Sequence, residues 1–548
     1  MISTKSFYIF SLFLAAAGWS MNVLGANVFP YGVASGDPLS DRVVIWTKVE
    51  ADDWESQVTL TWEMASDSSF RLVVGTGDLE TSNEKDFTAK VDVLGLKPDT
   101  RYFYRFSASG QFSPTGITYT TPETDTDQLK FAVVSCNNYQ HGYFTAYRHI
   151  AERKDLNAVI HLGDYIYESF ASKRDPRWPK ERIHEPQKEI ITLSDYRQRY
   201  AQYRSDPDLQ EAHRVLPFIT VWDDHESSNN SNKNGAPGHN PERDGEWATR
   251  LQNAKQAYFE WMPIRDYPGQ KVYRKISYGK MADLLMVDTR TEGRDPQIYD
   301  IDRAELSDSN RSILGAEQLD WLLKNLESSQ ARWKVLGNQV IFSPLYASHL
   351  SKKIENAMLD IWDGYPAERL KITRFLQEEK IDNVVILTGD FHVSMVFDVP
   401  VDDWNFPLTG NAPEYNSETG EGAVAVEFAT PSISSGNFDE FARSVRVVRY
   451  TGTARAGVRW LEGNLGKDYR RNRKYPGGRQ PINPHLKYIN LRDHGYFVLT
   501  LTKEEARADY YLLDKVTKKD SPESFRAGFF TRSGENHLAR EGQTIRVK

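Results

Sequence analysis

Four short polar cassettes, each directly behind an apolar run, constrain this chain more than any other feature. Ser135-Cys136 follows Phe131 to Val134, and Gly163-Asp164-Tyr165-Ile166-Tyr167 follows Ala158 to Leu162. Asp223-Asp224-His225-Glu226 follows Phe218 to Trp222, and Gly389-Asp390-Phe391-His392 comes just after Val384 to Leu387. Short apolar runs bounded by turn residues read as buried strands of an α/β sheet. Such sheets place ligands beyond the carboxyl ends of their strands. The four cassettes therefore read as one site.

The residue types narrow its chemistry. A thiolate, a phenolate, an imidazole and several carboxylates seldom converge unless a softer and a harder metal share one site, because donor type sorts metals. Cys136, Tyr167 and His392 suit a ferric ion, Asp224 and Asp390 suit a hard cation such as calcium, and Asp164 is placed to bridge the two. Tyr167 follows Asp164 by three residues, so one turn after a strand end brings both oxygens to one ion. Asn229 and Asn230 offer further amide oxygens to the calcium. Cys136 is the only cysteine, which excludes an intramolecular disulfide. Taken alone, it has two other readings: a small buried apolar filler, or a nucleophile. Against the latter, Asn137-Asn138-Tyr139-Gln140 lacks the glycines of a phosphate-cradling loop.

With Phe29-Pro-Tyr-Gly-Val-Ala-Ser-Gly-Asp-Pro38 ahead of them and Asn483-Pro484-His485 behind, these cassettes resemble the alkaline phosphatase D (PhoD-like) group of the metallophosphoesterase superfamily over nearly the whole mature chain. In the wider superfamily, which includes purple acid phosphatases, the last two cassettes read Gly-Asn-His and Gly-His-x-His. Asp224 thus stands in place of an asparagine and Asp390 of a histidine. The resemblance implies iron(III) held by Cys136, Asp164, Tyr167 and His392, and calcium facing Asp164, Asp224 and Asp390. It implies a secreted metal-dependent phosphoesterase in which a metal-bound hydroxide attacks phosphorus in line.

His225 matches a histidine that contacts phosphate or protonates the leaving oxygen. Its alternative is a structural hydrogen bond to Asp223 or Glu226. Asp223 is expected beside it, as a catalytic residue or as a partner that orients ligands. Arg290 and Asn338, at the polar ends of the Leu284 to Val287 and Trp333 to Leu336 runs, are expected as substrate contacts, with an ordinary surface turn as the competing reading. His485 is a third expected substrate contact.

The expected fold class is α/β: a layered αββα metallophosphoesterase core preceded by a small fibronectin-III-like β-sandwich. Residues 27–121 alternate short β-like runs with turns, and Leu96-Lys-Pro-Asp-Thr-Arg-Tyr102 resembles a tyrosine corner. After the polar linker Thr121 to Asp127, residues 128–520 carry strands interleaved with helical patterns at Tyr143 to Glu152, Gln252 to Trp261 and Gly315 to Leu326. Residues 521–548 read as a polar tail without a role. Residues 1–25 hold one cation, Lys5, an apolar stretch and a small-residue end, which reads as a cleavable signal peptide without a twin-arginine pair.

Its removal takes the net charge from −8 to −9, which argues against bulk nucleic-acid or anionic-membrane binding. No other segment reaches the ~20 apolar residues of a membrane span. The expected location is secreted or periplasmic, and the expected partner is a phosphate-ester substrate. The basic stretch Lys467 to Lys474 reads as a solvated loop or as a patch that steers anions. Two other functions stay open: a phosphodiesterase acting on cell-surface polymer, nucleotide or phospholipid esters, and a noncatalytic sandwich protein with a closed structural metal site.

Overall fold

The computed structural model describes residues 27–50, 57–171, 177–347, 352–401, 415–441, 454–466 and 483–539; the expected leader and the Lys467 to Lys474 stretch lie outside them. A nine-stranded sheet runs in the order Glu523–Arg532, Glu505–Leu513, Gly495–Thr502, Gln128–Val134, Ala158–His161, Pro217–Thr220, Val33–Gly36, Arg42–Lys48 and Thr88–Leu94. A seven-stranded sheet is ordered Arg274–Tyr278, Ala282–Met286, Trp333–Gly337, Val384–Thr388, Ala423–Ala429, Ser394–Pro400 and Leu486–Asn490. Central strands of both run parallel. Both faces of such strands are covered, so their sequences are continuously apolar.

Successive residues of the seven-stranded sheet divide between two cores. Leu284, Met286, Val335, Val385 and Leu387 share a core with Phe131, Val133 and Ile160 of the nine-stranded sheet. Leu285, Leu336, Val384 and Ile386 face an outer core with Leu322, Leu326, Ile372 and Leu376. Those last four lie on helices Ala316–Ser328 and Pro366–Glu378, where apolar residues four apart form a single stripe. Helices Thr145–Glu152, Leu193–Arg204 and Trp247–Trp261 supply Ile150, Tyr200 and Tyr258 to the core of the nine-stranded sheet. The layers are therefore αββα, as expected.

The N-terminal sandwich shares this architecture rather than standing apart. Its second sheet comprises Val73–Ser82, Gln57–Ala65, Arg101–Ala108, Gln111–Phe112 and Gly116–Tyr119. Leu60, Met64, Tyr104 and Phe106 of that sheet pack against Val33, Val43, Ile45 and Val93. The latter residues sit on strands of the nine-stranded sheet, where Gly36 pairs with Phe218, and Ala34 and Trp46 turn the other way into the main core. The linker thus divides the chain but not the sheet. Lys97 N–H donates to Tyr102 Oη at 2.9 Å, closing the expected tyrosine corner.

The stretch from Ser521 corrects the sequence reading. Glu523–Arg532 pairs along Glu505–Leu513 as the outermost strand, with Ala527 and Phe529 buried. Its buried stretch is short, Ala527 to Thr531, and lies among polar residues that read as a tail. Among the described residues no helix is long and apolar enough to cross a membrane.

Candidate metal centre

Strand register sets the site. His161 pairs with both Val134 and Thr220, so the Cys136, Asp164 and Asp223 turns leave the nine-stranded sheet at one level. Gly337 pairs with Met286 and Leu387, which levels the Asp288, Asn338 and Asp390 turns on the other sheet. The sheets approach closely here: a Cβ on Gly389 would lie 3.0 Å from Ser135 Cβ. Gly163, with φ of +104°, is required where two cassettes touch, because a Cβ there would meet Asp223 Cβ at 2.5 Å. Cys136, Asp164, Asp390 and His392 have φ of 61°, 57°, 54° and 57°. This left-handed region costs non-glycine residues about 1 kcal/mol or more each. The same conformation turns each cassette back over its strand end and brings four expected ligands together.

Cys136, Asp164 and His392 offer donor atoms within 4.8 Å of one another. Tyr167 Oη donates to Asp164 Oδ2 at 2.9 Å and stands 3.1 Å from His392 Nε2. His392 Nδ1–H donates to Gly436 O at 2.8 Å, which leaves the Nε2 lone pair facing the group. Burial lowers the His392 pKa to about 4, keeping the ring neutral. Burial likewise pushes the Cys136 thiol and the Tyr167 phenol well up, so both keep their protons until a cation displaces them.

Asp223, Asp224 and Asp390 form a second cluster within the same 4.8 Å limit, and Asp164, Asp224 and His225 form a third that joins the two. Asp224 Oδ2 accepts from Asn230 N–H at 2.6 Å, whereas Oδ1 is buried with no hydrogen-bond partner. A buried carboxylate oxygen without a donor is costly unless a cation takes it. Burial opposes ionisation of Asp224, but the Arg290 and His225 charges hold it below the usual carboxylate range. The donors present thus fit a softer metal on the Cys136 side and a hard one on the Asp224 side.

Arg290 supplies the counter-charge. It is fully buried, with Nε 2.5 Å from Asp223 Oδ1, Nη2 2.6 Å from Asp390 Oδ1 and Nη1 3.0 Å from Asp360 Oδ2. A turn presents it, in which Asp288 Oδ1 accepts from the N–H groups of Arg290 and Thr291 at 2.8 Å each. Burial raises the Asp390 pKa to about 7, against the pull of Arg290.

His225 Nδ1 lies 2.5 Å from Glu168 Oε2, and Glu168 Oε1 accepts from Asn229 N–H at 2.8 Å. Its partner is therefore neither Asp223 nor Glu226. Desolvation works against the charged ring, but the carboxylates of Glu168, Asp224 and Asp164 raise its pKa well above the ordinary value. Glu226 instead accepts from the N–H groups of Asp164, Tyr165 and Asp223 at 3.1, 2.6 and 2.9 Å, tying two cassettes together.

A pocket of about 530 Å³ opens over these groups, lined among others by Asp164, Tyr167, Asp224, His225, Asn229, Asn230, Asp390 and His392. Besides the expected ligand Cys136, which is fully buried, four expected site residues do not line it. Asp223 is buried beneath it in the Arg290 pair, so it holds other groups rather than meeting substrate. Arg290, expected as a substrate contact, has its guanidinium engaged by carboxylates. Asn338 is fully buried, donating to Val340 O and Thr388 Oγ1 and accepting from Trp362 Nε1. His485 is buried against Phe397 with Nε2 2.6 Å from Pro344 O. All four are held by contacts distant in sequence, which strand-end patterning does not reveal.

Sequence patterning also passed over Glu168, Asp360, His141 and the Thr430 to Gly436 turn. The turn had a signal, since it follows the apolar strand Ala423–Ala429 as the four cassettes follow theirs. Its Ser435 N–H donates to Cys136 O at 3.1 Å, and its Ile433 N–H to Ser135 O at 3.0 Å.

The chain as a whole is similar to known proteins. The PhoD-like phosphatase family model matches residues 131–510, and the model of the PhoD-like phosphatase N-terminal domain matches 15–122. The chain is 36% identical over 537 residues to alkaline phosphatase D of Bacillus subtilis (strain 168), covering 94% of this chain and 83% of that protein. The solved structure of PhoD aligns with a TM-score of 0.77 at 34% identity, covering 95% of this chain and 92% of the other. The chain belongs to the PhoD-like phosphatase family and is a hydrolase of phosphoric esters.

Proposed function

We propose that this hydrolase uses Cys136, Asp164, Tyr167 and His392 to hold iron(III), and Asp164, Asp224 and Asp390, with amide oxygens of Asn229 and Asn230, to hold calcium. The carrying observation is that Asp164 belongs both to the group with Cys136 and His392 and to the group with Asp224 and His225, and that Asp224 in turn belongs to the carboxylate group with Asp223 and Asp390. Thiolate and phenolate donors favour a ferric ion, and an all-oxygen set favours calcium. When bound, such paired cations lower the pKa of coordinated water and neutralise phosphoryl oxygens.

The protein's own groups do the rest. Glu168 holds His225 by Nδ1, leaving the Nε2–H of a charged ring free to donate to the departing alcohol oxygen. Asp223 and Arg290 keep Asp390 in place from below without touching substrate. Export depends on the leader at 1–25, which lacks an arginine pair and directs the chain to a secreted or periplasmic location.

The test is hydrolysis of p-nitrophenyl phosphate and bis(p-nitrophenyl) phosphate, combined with elemental analysis of the purified protein. Turnover on at least one ester, abolished by chelation, is expected, with iron and calcium both present. Chelator-insensitive turnover would overturn the metal mechanism. A colourless, active zinc enzyme would refute the iron assignment alone.

A further inference from the structure

Building on the phosphoesterase reading, we propose that His141 is a substrate-contacting residue whose Nε2–H donates to an oxygen of the bound phosphate ester, while its Nδ1 anchors the imidazole of His392 through Gly436. His141 lines the same pocket as Asp164, His225 and His392. Its Nδ1 accepts from Gly436 N–H at 3.0 Å. A backbone amide only donates, so Nδ1 carries the lone pair and the proton of the neutral ring sits on Nε2. Among the described residues the hydrogen bond of the ring is the one at Nδ1, and the Nε2–H is left for the pocket. The ring is also held rigidly: it stacks on Trp178 with centroids 3.8 Å apart and planes 28° apart, and is only 9% exposed.

Among the described residues lining the pocket none is Lys or Arg. Apart from the His225 ring, an ester oxygen that enters is therefore met on the protein side by neutral donors. His141 is the one whose direction is fixed by stacking and a backbone bond together. The same residue reaches the metal side, because Gly436 O accepts from His392 Nδ1 at 2.8 Å. The N–H and C=O of one glycine thus bracket two imidazoles.

Two amide variants separate these roles. In His141→Asn the side-chain oxygen takes the place of Nδ1, preserving the Gly436 bond and losing the Nε2 donor. In His141→Gln the amide N–H reaches the place of Nε2 and the anchor is lost. The expected result for metal-loaded His141→Asn is unchanged metal content with the KM for p-nitrophenyl phosphate and the Kd for inorganic phosphate, read by calorimetry, raised about 3- to 10-fold, the worth of one hydrogen bond. His141→Gln should bring the phosphate Kd to within about twofold of wild type while retaining less metal. The proposal is overturned if His141→Asn binds phosphate like wild type, or if its phosphate affinity falls only in step with lost metal. Wild-type protein that binds phosphate without hydrolysing any ester would sink the phosphoesterase reading instead, and the Kd comparison would still decide the role of His141. Wild-type protein that neither binds phosphate nor hydrolyses esters overturns both.

Discussion

The Cys136 side of the centre and the Asp390 side differ in what balances their charge. On the Cys136 side, burial keeps the thiol and the phenol protonated and the His392 ring neutral, and backbone groups such as Gly436 O supply the support. No fixed cation is needed there. On the Asp390 side four carboxylates, those of Asp223, Asp224, Asp360 and Asp390, crowd one guanidinium, and Arg290 is the buried charge that lets them coexist. A half built from neutral groups can wait for its metal, whereas a half in which carboxylates crowd together carries a counter-ion inside the fold to offset the charge each gains as it ionises.

Arg290→Gln is the severest way to break this contrast. In metal-free protein it should destabilise folding by roughly 3–5 kcal/mol, because Asp223 and Asp390 lose their buried partner. Tyr167→Phe under the same conditions should cost less than about 1.5 kcal/mol, one neutral hydrogen bond. Chemical unfolding of both variants decides it, and equal losses would erase the distinction between the halves.

His225→Ala should lower turnover by about 10²-fold while both metals remain bound. Loss of metal in that variant would make His225 a ligand, and the Asp164–Asp224–His225 cluster would then be a binding site in its own right. Smaller still, Tyr167→Phe in loaded protein should weaken iron retention about tenfold and shift or remove a visible charge-transfer band. Asp390→Asn should leave most of that colour and lower calcium content. Elemental analysis beside an absorption spectrum separates the two.

The gentlest test is pH. Burial raises Glu226 from 4.5 to about 7, and Asp390 from 3.8 to about 7. Both pKa values are higher in the folded than in the unfolded chain, so the stability they contribute is full below about 4 and is lost as pH rises towards 7. Metal-free protein should therefore show a falling melting temperature across that window, and calcium should restore stability above it by taking the place of the protons. A flat profile in metal-free protein would mean that Arg290 already holds Asp390 ionised.

Much of the centre was legible in the sequence. All six expected ligands come together because each lies within a few residues of a buried strand end, and parallel strands in register carry such ends to one level. The αββα layering was legible for a related reason, since apolar runs alternating with helical stripes admit few other packings. The misplaced residues share the opposite property. Arg290 lies at a strand end like the ligands, yet it meets Asp223 from 67 positions away, and His485 meets Pro344 from 141.

Local patterning thus determined which side chains would be offered at the strand ends, because a buried strand followed by a polar turn exposes its chemistry over a few residues. Which of them face the pocket, and which are consumed in holding others, was decided only when the two sheets packed face to face. A side chain's free donors and acceptors depend on neighbours brought in by the whole fold. His141 shows the difference most clearly: nothing around it in the chain marks it, and its place in the pocket follows from Gly436, 295 positions away, and from the indole of Trp178.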